Sequence, residues 1–353
     1  RREAQAGVGN LRGCTVDSLQ VCACHVCPSA VFHGNLDGGV KPRRRLALVR
    51  LWSRLWSRST PMRCAKVDNG PVAVLDNTGG PAVKPLPNDK GLALEKGKLH
   101  RVIWMCWTGN NPMPLHLQLC KRTVERNSGL RVILVSPDNV LEYVPDPHPA
   151  YPFLHLAHRA DYLRCYLLHH YGGIYLDVDT ICLRSLAELF DCLGTYDAVG
   201  YDGSQWGELV GISDMGPFRP GSELTDLWFN ALHGKIHDKW PEIQADRADV
   251  FYWQEILRDI FVPCSFLYRQ RVSTDLLAAN PEKEELLSTR PAAEVLRGHL
   301  RRNPHVLILN NAKYGDELGT LDEDQILKGP TVLSELLRRA LGLQIGLDAG
   351  LVA

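Results

Sequence analysis

The sequence has no excess of charge of either sign, because its 40 lysine and arginine residues are matched by 40 aspartate and glutamate residues. A basic excess is the electrostatic footprint of nucleic-acid-binding proteins, so we predict no nucleic-acid partner. Long hydrophobic runs are also lacking: no stretch reaches the ~18–20 apolar residues that a membrane-spanning helix needs. We therefore predict no membrane span in this chain, and composition alone favours a soluble protein.

The length and the uneven composition bound the domain organisation. The chain has 353 residues, of which 45% are hydrophobic, and this is enough for one large or two modest domains with a buried core. Residues 1–97 are rich in glycine, proline, arginine and cysteine and show little periodicity. We predict that this segment is disordered or outside the core. We place the folded domain at residues 98–345.

The chain contains 11 cysteines, an odd number. Most stand in apolar runs, where a free cysteine behaves as a small core residue. Cys22, Cys24 and Cys27 stand close together, as in part of a zinc-binding pattern. The second ligand pair that structural zinc sites normally have does not follow at matching spacing, so we favour cysteines without a metal over a zinc site.

A strand–helix–strand pattern opens the predicted domain. Residues 100–107 and 130–135 are apolar runs of strand length, and residues 114–127 between them have helical spacing. This order predicts a βαβ unit with parallel strands. Because such sheets bind ligands at the carboxyl ends of their strands, we expect residues 107–111 and 136–138 to border a binding crevice.

The rest of the domain continues the alternation of helices and strands. No internal repeat and no long heptad run interrupts it. The fold class that we predict is therefore α/β, with helices flanking a sheet that is mainly parallel. The further predicted strands are 174–178, 198–201, 209–212 and 305–309, and the further predicted helices are 158–171, 223–233, 250–260 and 331–341.

The strand at 174–178 carries the first chemically informative pattern. Side chains alternate between the two faces of a strand, so Tyr175, Asp177 and Asp179 would share one face while apolar residues occupy the other. Two carboxylates this close repel each other unless a cation lies between them. Oxygen ligands suit a hard divalent cation such as Mn²⁺ or Mg²⁺, and such a cation can also hold a pyrophosphate group.

The helix before this strand adds a second pair of charges. Asp161 and Arg164 are three residues apart, hence on one face of the helix, and Gly172-Gly173 lets the chain reverse sharply into the strand. The reversal would bring both side chains beside Asp177. Each part has an ordinary alternative, namely a surface ion pair, a glycine turn or an acidic turn. Their conjunction favours a functional site.

The stretches 158–164 (HRADYLR) and 171–179 (YGGIYLDVD) together resemble the sugar-binding region with a DXD motif of one glycosyltransferase family. The family includes inositol phosphoceramide mannosyltransferases, initiating α-1,6-mannosyltransferases, lactosylceramide α-1,4-galactosyltransferases and bacterial capsule enzymes. The catalytic domains of clostridial glucosylating toxins are similar in the same stretch. The resemblance covers residues 100–215, is loose beyond them and is absent before residue 97.

The resemblance implies a single GT-A-like domain with a mixed, mainly parallel sheet flanked by helices. It also implies a nucleotide-diphosphate sugar as donor, Mn²⁺ (or Mg²⁺) as cofactor, and transfer of a hexose with retention of anomeric configuration. The acceptor would be a hydroxyl group of a glycan, a lipid or a protein. Many relatives are Golgi or other endomembrane enzymes, and the resemblance extends that location to this chain.

The resemblance also assigns roles to particular residues. Asp177 and Asp179 would be the catalytic acids, with Asp179 as direct metal ligand and Asp177 meeting the donor or the metal. Asp161 and Arg164 would contact the donor sugar. The remaining donor-binding residues would be Trp107, Gly172, Gly173 and Tyr175. Trp107 would stack on the nucleotide base, although an ordinary core position for this residue is an equal alternative.

A third metal ligand is expected after the predicted strand at 305–309. The candidates implied by the resemblance are Asn311, Asp316 and Glu317, with Asn310 beside them. Asparagine, aspartate and glycine also favour turns, so a polar turn without a metal is an alternative here.

Two other functions remain open for the whole chain. One is a non-catalytic nucleotide-sugar-binding protein, and the other is a structural protein in which the acidic pair is only a surface turn.

Overall fold

The computed structural model describes residues 94–310 and 315–343, without the side chain of Asp316. Leu94 packs against the main core, and the N–H of Gly97 donates a hydrogen bond of 2.7 Å to the carbonyl of His170. The described fold therefore includes a few residues upstream of the predicted start at Lys98. The rest of the predicted N-terminal segment, with Cys22, Cys24 and Cys27, lies outside the described residues.

The described strands form two sheets. The larger sheet has the order β2-β1-β3-β6-β5-β7, and the smaller has the order β4-β9-β8. The strands are β1 (Val102–Cys106), β2 (Arg131–Val135), β3 (Gly173–Tyr175), β4 (Thr180–Cys182), β5 (Ala198–Asp202), β6 (Val210–Phe218), β7 (Val272–Ser273), β8 (Ala278–Ala279) and β9 (Val306–Ile308).

The larger sheet is mixed and mainly parallel, as predicted. Strand β1 runs parallel to β2 and to β3, and β5 runs parallel to β7, whereas β6 is antiparallel to both of its neighbours. All five residues of β1 are buried, because a sheet covered on both faces needs apolar side chains on both. Since β1, β2 and β3 run in the same direction, their carboxyl ends meet at one edge.

Helices flank these sheets. They are α1 (Leu115–Asn127), α2 (Val140–Tyr143), α3 (Leu156–Tyr171), α4 (Glu223–Asp246), α5 (Arg258–Leu267), α6 (Lys283–Leu287), α7 (Ala292–Val295), α8 (Arg297–Leu300), α9 (Gly315–Leu318), α10 (Glu323–Lys328) and α11 (Val332–Ala340), with 3₁₀ helices at Tyr151–Phe153, Ala187–Gly194, Ser204–Trp206 and Arg269–Arg271. The predicted helices at 114–127, 158–171 and 331–341 are confirmed. Among the described residues, no helix has the length and apolarity to cross a membrane.

Helix α3 supplies much of the main core. Tyr162, Leu163, Cys165 and Leu167 are at most 1% exposed, and they share this core with Trp104 of β1. A helix buried in so many directions also carries its polar residues inward. Asp161 and Arg164 are therefore buried with their apolar neighbours.

The strand predicted at 174–178 is shorter than expected. It ends at Tyr175, and the apolar residues Ile174, Leu176 and Val178 share one hydrophobic cluster as expected. The N–H of Thr180 donates to the carbonyl of Asp177 at 3.2 Å, so the acidic residues lie on a turn, not on a strand. The strict alternation assumed for Asp177 and Asp179 was wrong for that reason.

The helix predicted at 250–260 was also wrong for most of its length. Helix α5 begins only at Arg258, and the chain before it makes turns. The carboxylate of Asp249 accepts a hydrogen bond of 2.8 Å from the N–H of Phe251, and such a local bond competes with helix formation. The strand predicted at 209–212 is the first part of a longer strand, β6, and helix α4 extends well beyond the predicted end at residue 233.

Candidate active site

Gly172 and Gly173 reverse the chain between helix α3 and strand β3. Their φ angles are 64° and 90°, in the region that favours glycine. A Cβ atom on Gly172 would lie 2.6 Å from the carbonyl oxygen of Phe218, and one on Gly173 would lie 2.8 Å from that of Val102. The two glycines therefore permit a close approach of backbones that places α3 beside the carboxyl end of β3. A contact with a donor remains a prediction for both.

Arg164 is the centre of the candidate site. Its side chain is 4% exposed, and its Nη2 lies 2.9 Å from Oδ1 of Asp177. Its Nη1 donates to the carbonyl of Ile212 on β6, and its guanidinium lies over the ring of Tyr175, 4.2 Å from the centroid. Burial alone would lower the pKa of Arg164, but Asp177, Tyr175 and Asp161 outweigh it and raise the pKa. The guanidinium is thus charged and held in one orientation.

Asp161 lies one helical turn before Arg164 and is also buried. The shortest distance between its Oδ1 and Nη2 of Arg164 is 3.7 Å, which is an ion pair but not a hydrogen bond. Burial raises the pKa of Asp161 from 3.8 to about 6, with Arg164 opposing the shift and the charge of Asp177 adding to it. A buried carboxyl group whose environment disfavours its charged form is typical of a site that binds a ligand.

Asp214 on β6 anchors the acidic turn. It is fully buried, and its Oδ1 accepts hydrogen bonds from the N–H of Asp177 at 3.0 Å and from the hydroxyl of Thr180 at 2.9 Å. Burial and the nearby charge of Asp177 raise the pKa of Asp214 well above its ordinary value. The sequence pattern did not single out this residue, although one acid within the apolar run 209–218 is an unusual feature.

The structure therefore brings together the predicted residues of the helix and the turn. Asp177 and Asp179 lie on the turn that follows β3, and both Asp161 and Asp177 lie within 4 Å of Arg164. Asp179 is close enough to Asp214 to add to the raised pKa of Asp214. The guanidinium of Arg164 supplies the positive charge in the contacts with Asp161 and Asp177. If all four carboxyl groups were ionised, their charge would exceed that of Arg164, and the repulsion would favour a bound cation or a proton.

The described residues do not gather three or more histidine, cysteine, aspartate or glutamate side chains in an arrangement that could hold a metal ion. Asn311 and the side chain of Asp316 lie outside the described residues. Glu317 is half exposed and forms an ion pair of 2.6 Å with Lys283. The N–H of Leu309 donates a hydrogen bond of 3.2 Å to the carbonyl of Asp179, so Leu309, which follows strand β9, lies next to the acidic turn.

Trp107 follows strand β1 at the edge where the parallel strands end. Its N–H donates to the carbonyl of Val135, and its indole Nε1 donates to the carbonyl of Asn111 at 2.8 Å. The residue is half-buried, so part of the ring faces outward. Stacking on a nucleotide base remains a prediction for Trp107, and the structure shows that its indole braces the turn at 108–111.

A second buried polar pair lies one turn before Asp161. Nδ1 of His158 is 2.6 Å from Oδ2 of Asp249, and the same oxygen accepts a hydrogen bond from the N–H of His155. Burial would raise the pKa of Asp249, but bonds from the N–H groups of His155 and Phe251 and from His158 hold it below its ordinary value. The pattern of the sequence did not indicate this pairing.

One family model matches the part of the chain that contains the candidate site. Residues 116–199 match the family described as a glycosyltransferase sugar-binding region containing a DXD motif. The matched stretch contains Asp161, Arg164, Asp177 and Asp179. A search of curated proteins found no match.

Among solved structures, the chain is similar to the PaToxG glycosyltransferase, with 12% identity, a TM-score of 0.33, and coverage of 71% of this chain and 88% of that one. It is similar to the glycosyltransferase GlyE of Streptococcus pneumoniae at 11% identity and a TM-score of 0.33, covering 69% and 64%. It is also similar to the galactosyltransferase LgtC, solved with donor and acceptor sugar analogues, at 15% identity and a TM-score of 0.32, covering 67% and 95%. Likenesses this weak carry no information about substrates.

Proposed function

We propose that the chain is a metal-dependent glycosyltransferase that moves a hexose from a nucleotide-diphosphate sugar to an acceptor hydroxyl with retention of anomeric configuration. The observation that carries the proposal is the acidic turn at Asp177 and Asp179, supported by Asp214 and held against the buried Arg164. The turn lies at the carboxyl edge of parallel strands, where α/β sheets bind ligands. Retention follows from the family resemblance.

The donor set of the turn fits a divalent cation that is shared with a substrate. Mg²⁺ at nucleotide sites is held by one or two carboxylates together with phosphate oxygens and waters, so a third protein side chain is not required. Asp177 and Asp179 would supply the carboxylates, and Asp214 holds the turn by accepting the N–H of Asp177. When bound, the cation would neutralise charge that develops on the departing diphosphate.

The residues of this chain would hold and polarise the donor sugar. In the reaction the bond between the anomeric carbon and the diphosphate oxygen breaks, the acceptor oxygen bonds to that carbon, and the acceptor proton leaves with the diphosphate. Arg164, which is buried and fixed by Asp177 and Ile212, can direct N–H groups at sugar or phosphate oxygens without reorganising. Asp161 can accept hydrogen bonds from sugar hydroxyls.

A screen of nucleotide-sugar donors tests the proposal directly. Donor hydrolysis without acceptor is measured for the UDP- and GDP-sugars of glucose, galactose, mannose and N-acetylglucosamine, with Mn²⁺ and with EDTA. We expect one or a few donors to be hydrolysed only when Mn²⁺ is present. Asp177→Asn and Asp179→Asn should each lower the rate by at least ~100-fold, because each removes a carboxylate that would hold the cation against the departing diphosphate.

The matched control is Asp238→Asn, which makes the same chemical change on the exposed side of helix α4. It should leave the hydrolysis rate unchanged, and circular dichroism should show that all three variants fold. Full activity of both active-site variants in EDTA would refute the proposal. Metal-dependent binding of UDP or GDP in calorimetry, without hydrolysis of any donor, would instead indicate a non-catalytic nucleotide-sugar-binding protein.

A further inference from the structure

The segment 249–258, between helices α4 and α5, carries two strongly exposed aromatic side chains. Tyr252 is 55% exposed and Trp253 is 72% exposed, although large apolar residues are elsewhere mostly buried in the described fold. Tryptophan and tyrosine on a surface supply a large contact area together with a polar group, which is why they are frequent in binding sites. The position of the segment relative to the acidic turn therefore decides what it could bind.

The N-terminal end of the segment is hydrogen-bonded to the helix that carries Asp161. Asp249 binds Nδ1 of His158 at 2.6 Å and also accepts the N–H of His155. The ring of His158 lies against Phe251, with centroids 6.2 Å apart and planes at 86°. His158 is three residues before Asp161, so the two lie on the same face of helix α3.

The C-terminal end of the segment is hydrogen-bonded to the loop that precedes strand β6. Arg258 donates from Nε to the buried carboxylate of Glu208 at 2.8 Å, from Nη2 to the carbonyl of Trp206 at 2.7 Å, and from Nη1 to Gln254 at 3.2 Å. Trp206 is itself 39% exposed. One guanidinium thus holds together two loops that each present an exposed tryptophan.

The loop with Trp206 leads back to the acidic turn. The ring of Tyr201 lies edge-on to Trp206, with centroids 6.1 Å apart, and its hydroxyl is 2.7 Å from Oγ of Ser213. Ser213 is the neighbour of Asp214, which holds the turn through the N–H of Asp177. The aromatic segment is therefore connected to the candidate active site at both of its ends.

We propose that Tyr252, Trp253 and Trp206 form the acceptor subsite and that the acceptor is a glycan. This inference rests on the proposed glycosyltransferase function. A pyranose ring has apolar C–H faces and a rim of hydroxyl groups, so it matches exposed aromatic rings that stand next to hydrogen-bonding side chains. Gln254 and Arg258 supply such polar groups within segment 249–258, and Arg258 also binds the carbonyl of Trp206.

A lipid acceptor fits these loops less well. A lipid surface would favour a continuous apolar patch, whereas here each aromatic side chain has polar or charged neighbours, among them Gln205, Gln254 and Glu255. Glu255 is also fixed, because it pairs with Lys235 at 2.6 Å and accepts the N–H of Tyr252. The segment is held in place by its polar groups, which makes a pre-formed site for a rigid sugar ring.

Calorimetric titration with soluble oligosaccharides tests the subsite without any need for catalysis. The probes are maltohexaose, mannohexaose, chitohexaose and lactose, each added to the wild-type chain, to Trp253→Ala and to Trp253→Phe. We expect at least one probe to bind the wild type, Trp253→Ala to weaken binding about tenfold or more, and Trp253→Phe to restore most of it, because a phenyl ring keeps the stacking surface. Leu141→Ala, at another strongly exposed apolar position, is the matched control and should not change binding.

Donor hydrolysis by the same variants separates the two proposals. Trp253→Ala should raise the KM for a glycan acceptor by a larger factor than it lowers the rate of donor hydrolysis. If the wild type hydrolyses a donor but no probe binds, or if Trp253→Ala binds all probes as the wild type does, the acceptor inference is wrong and the enzyme assignment stands. If vesicles of phosphatidylcholine bind through Trp253 and the oligosaccharides do not, the glycan assignment is overturned. If no donor is hydrolysed while glycans bind at Trp253, the proposed function fails and the sugar site remains.

Discussion

Replacing Asp161 by asparagine should stabilise the protein at neutral pH while it damages sugar transfer. Asp161 is buried, and burial raises its pKa from 3.8 to about 6. At ~1.4 kcal/mol per pKa unit, this shift means that ionised Asp161 costs the folded state about 3 kcal/mol at pH 7. Asparagine has nearly the same shape and no charge, so Asp161→Asn avoids most of this cost.

The pH dependence has a definite sign. Because the folded pKa lies above the unfolded value, the protonated carboxyl group favours the folded state, and this contribution is fully present only below about pH 4. It is lost as the pH rises to about 6, so the stability advantage of Asp161→Asn should grow over that range and level off above it. Arg164 keeps its 2.9 Å contact with Asp177 in the variant, and its 3.7 Å contact with Asp161 is too long for a hydrogen bond.

Urea unfolding followed by circular dichroism, at several pH values between about 4.5 and 8, measures the difference. The exposed Asp238→Asn variant is the control and should track the wild type at every pH. A variant at residue 161 that is less stable than the wild type at pH 7, or whose advantage does not depend on pH, would falsify the assignment of a buried, destabilising carboxylate. The same variant should hydrolyse donor at least ~10-fold more slowly, since an NH₂ group, which only donates, replaces one of the two charged oxygens that can accept hydrogen bonds from the sugar hydroxyls.

Three further changes test the arrangement around the turn. Arg164→Lys should weaken donor binding at least ~10-fold in calorimetry, because a lysine cannot keep the fixed fork that bridges Asp177 and the β6 carbonyl, and unchanged binding would contradict this role. Gly172→Ala should lower the free energy of unfolding by about 2 kcal/mol or more, because φ at this position is 64° and the new Cβ would meet a carbonyl oxygen. Gly234→Ala in helix α4 is the control: its Cβ would enter open space, so it should be neutral or stabilising in the same urea titration. Thr180→Val should cost about 1–3 kcal/mol by removing the hydroxyl donor to the buried carboxylate on β6, and equal stability would show that this bond contributes nothing.

The parts of the site that the sequence pattern could predict are those that are close along the chain. Arg164 and Asp177 are 13 residues apart, and the double glycine between them sets the reversal that brings them together. Helical spacing and turn-forming residues are local properties of the sequence, so they can predict a contact between residues that are this close along the chain. The predicted association of Asp161 and Arg164 with the acidic turn was correct for this reason.

The parts that could not be predicted depend on distant pairings. Asp214 lies 37 residues from Asp177 and reaches it because β6 runs antiparallel to β3 with an irregular register. Asp249 lies 91 residues from His158, and its bonds prevent the helix that hydrophobic spacing alone predicts for 250–260. Tertiary contacts of this kind override local propensity, and a single sequence does not contain the register that creates them.

The charges of helix α3 are better explained by a ligand than by stability. Buried ion pairs add little to stability, because desolvation offsets the attraction between their charges. Asp161 and Arg164 do not share a hydrogen bond, and in the described structure Nε of Arg164 and Nε2 of His158 are buried without a hydrogen-bond partner. Apolar residues would fill the same space at lower cost. The protein thus leaves some of these buried polar groups without a hydrogen-bond partner. A substrate rich in oxygen atoms can supply the missing hydrogen bonds, as expected for a binding site.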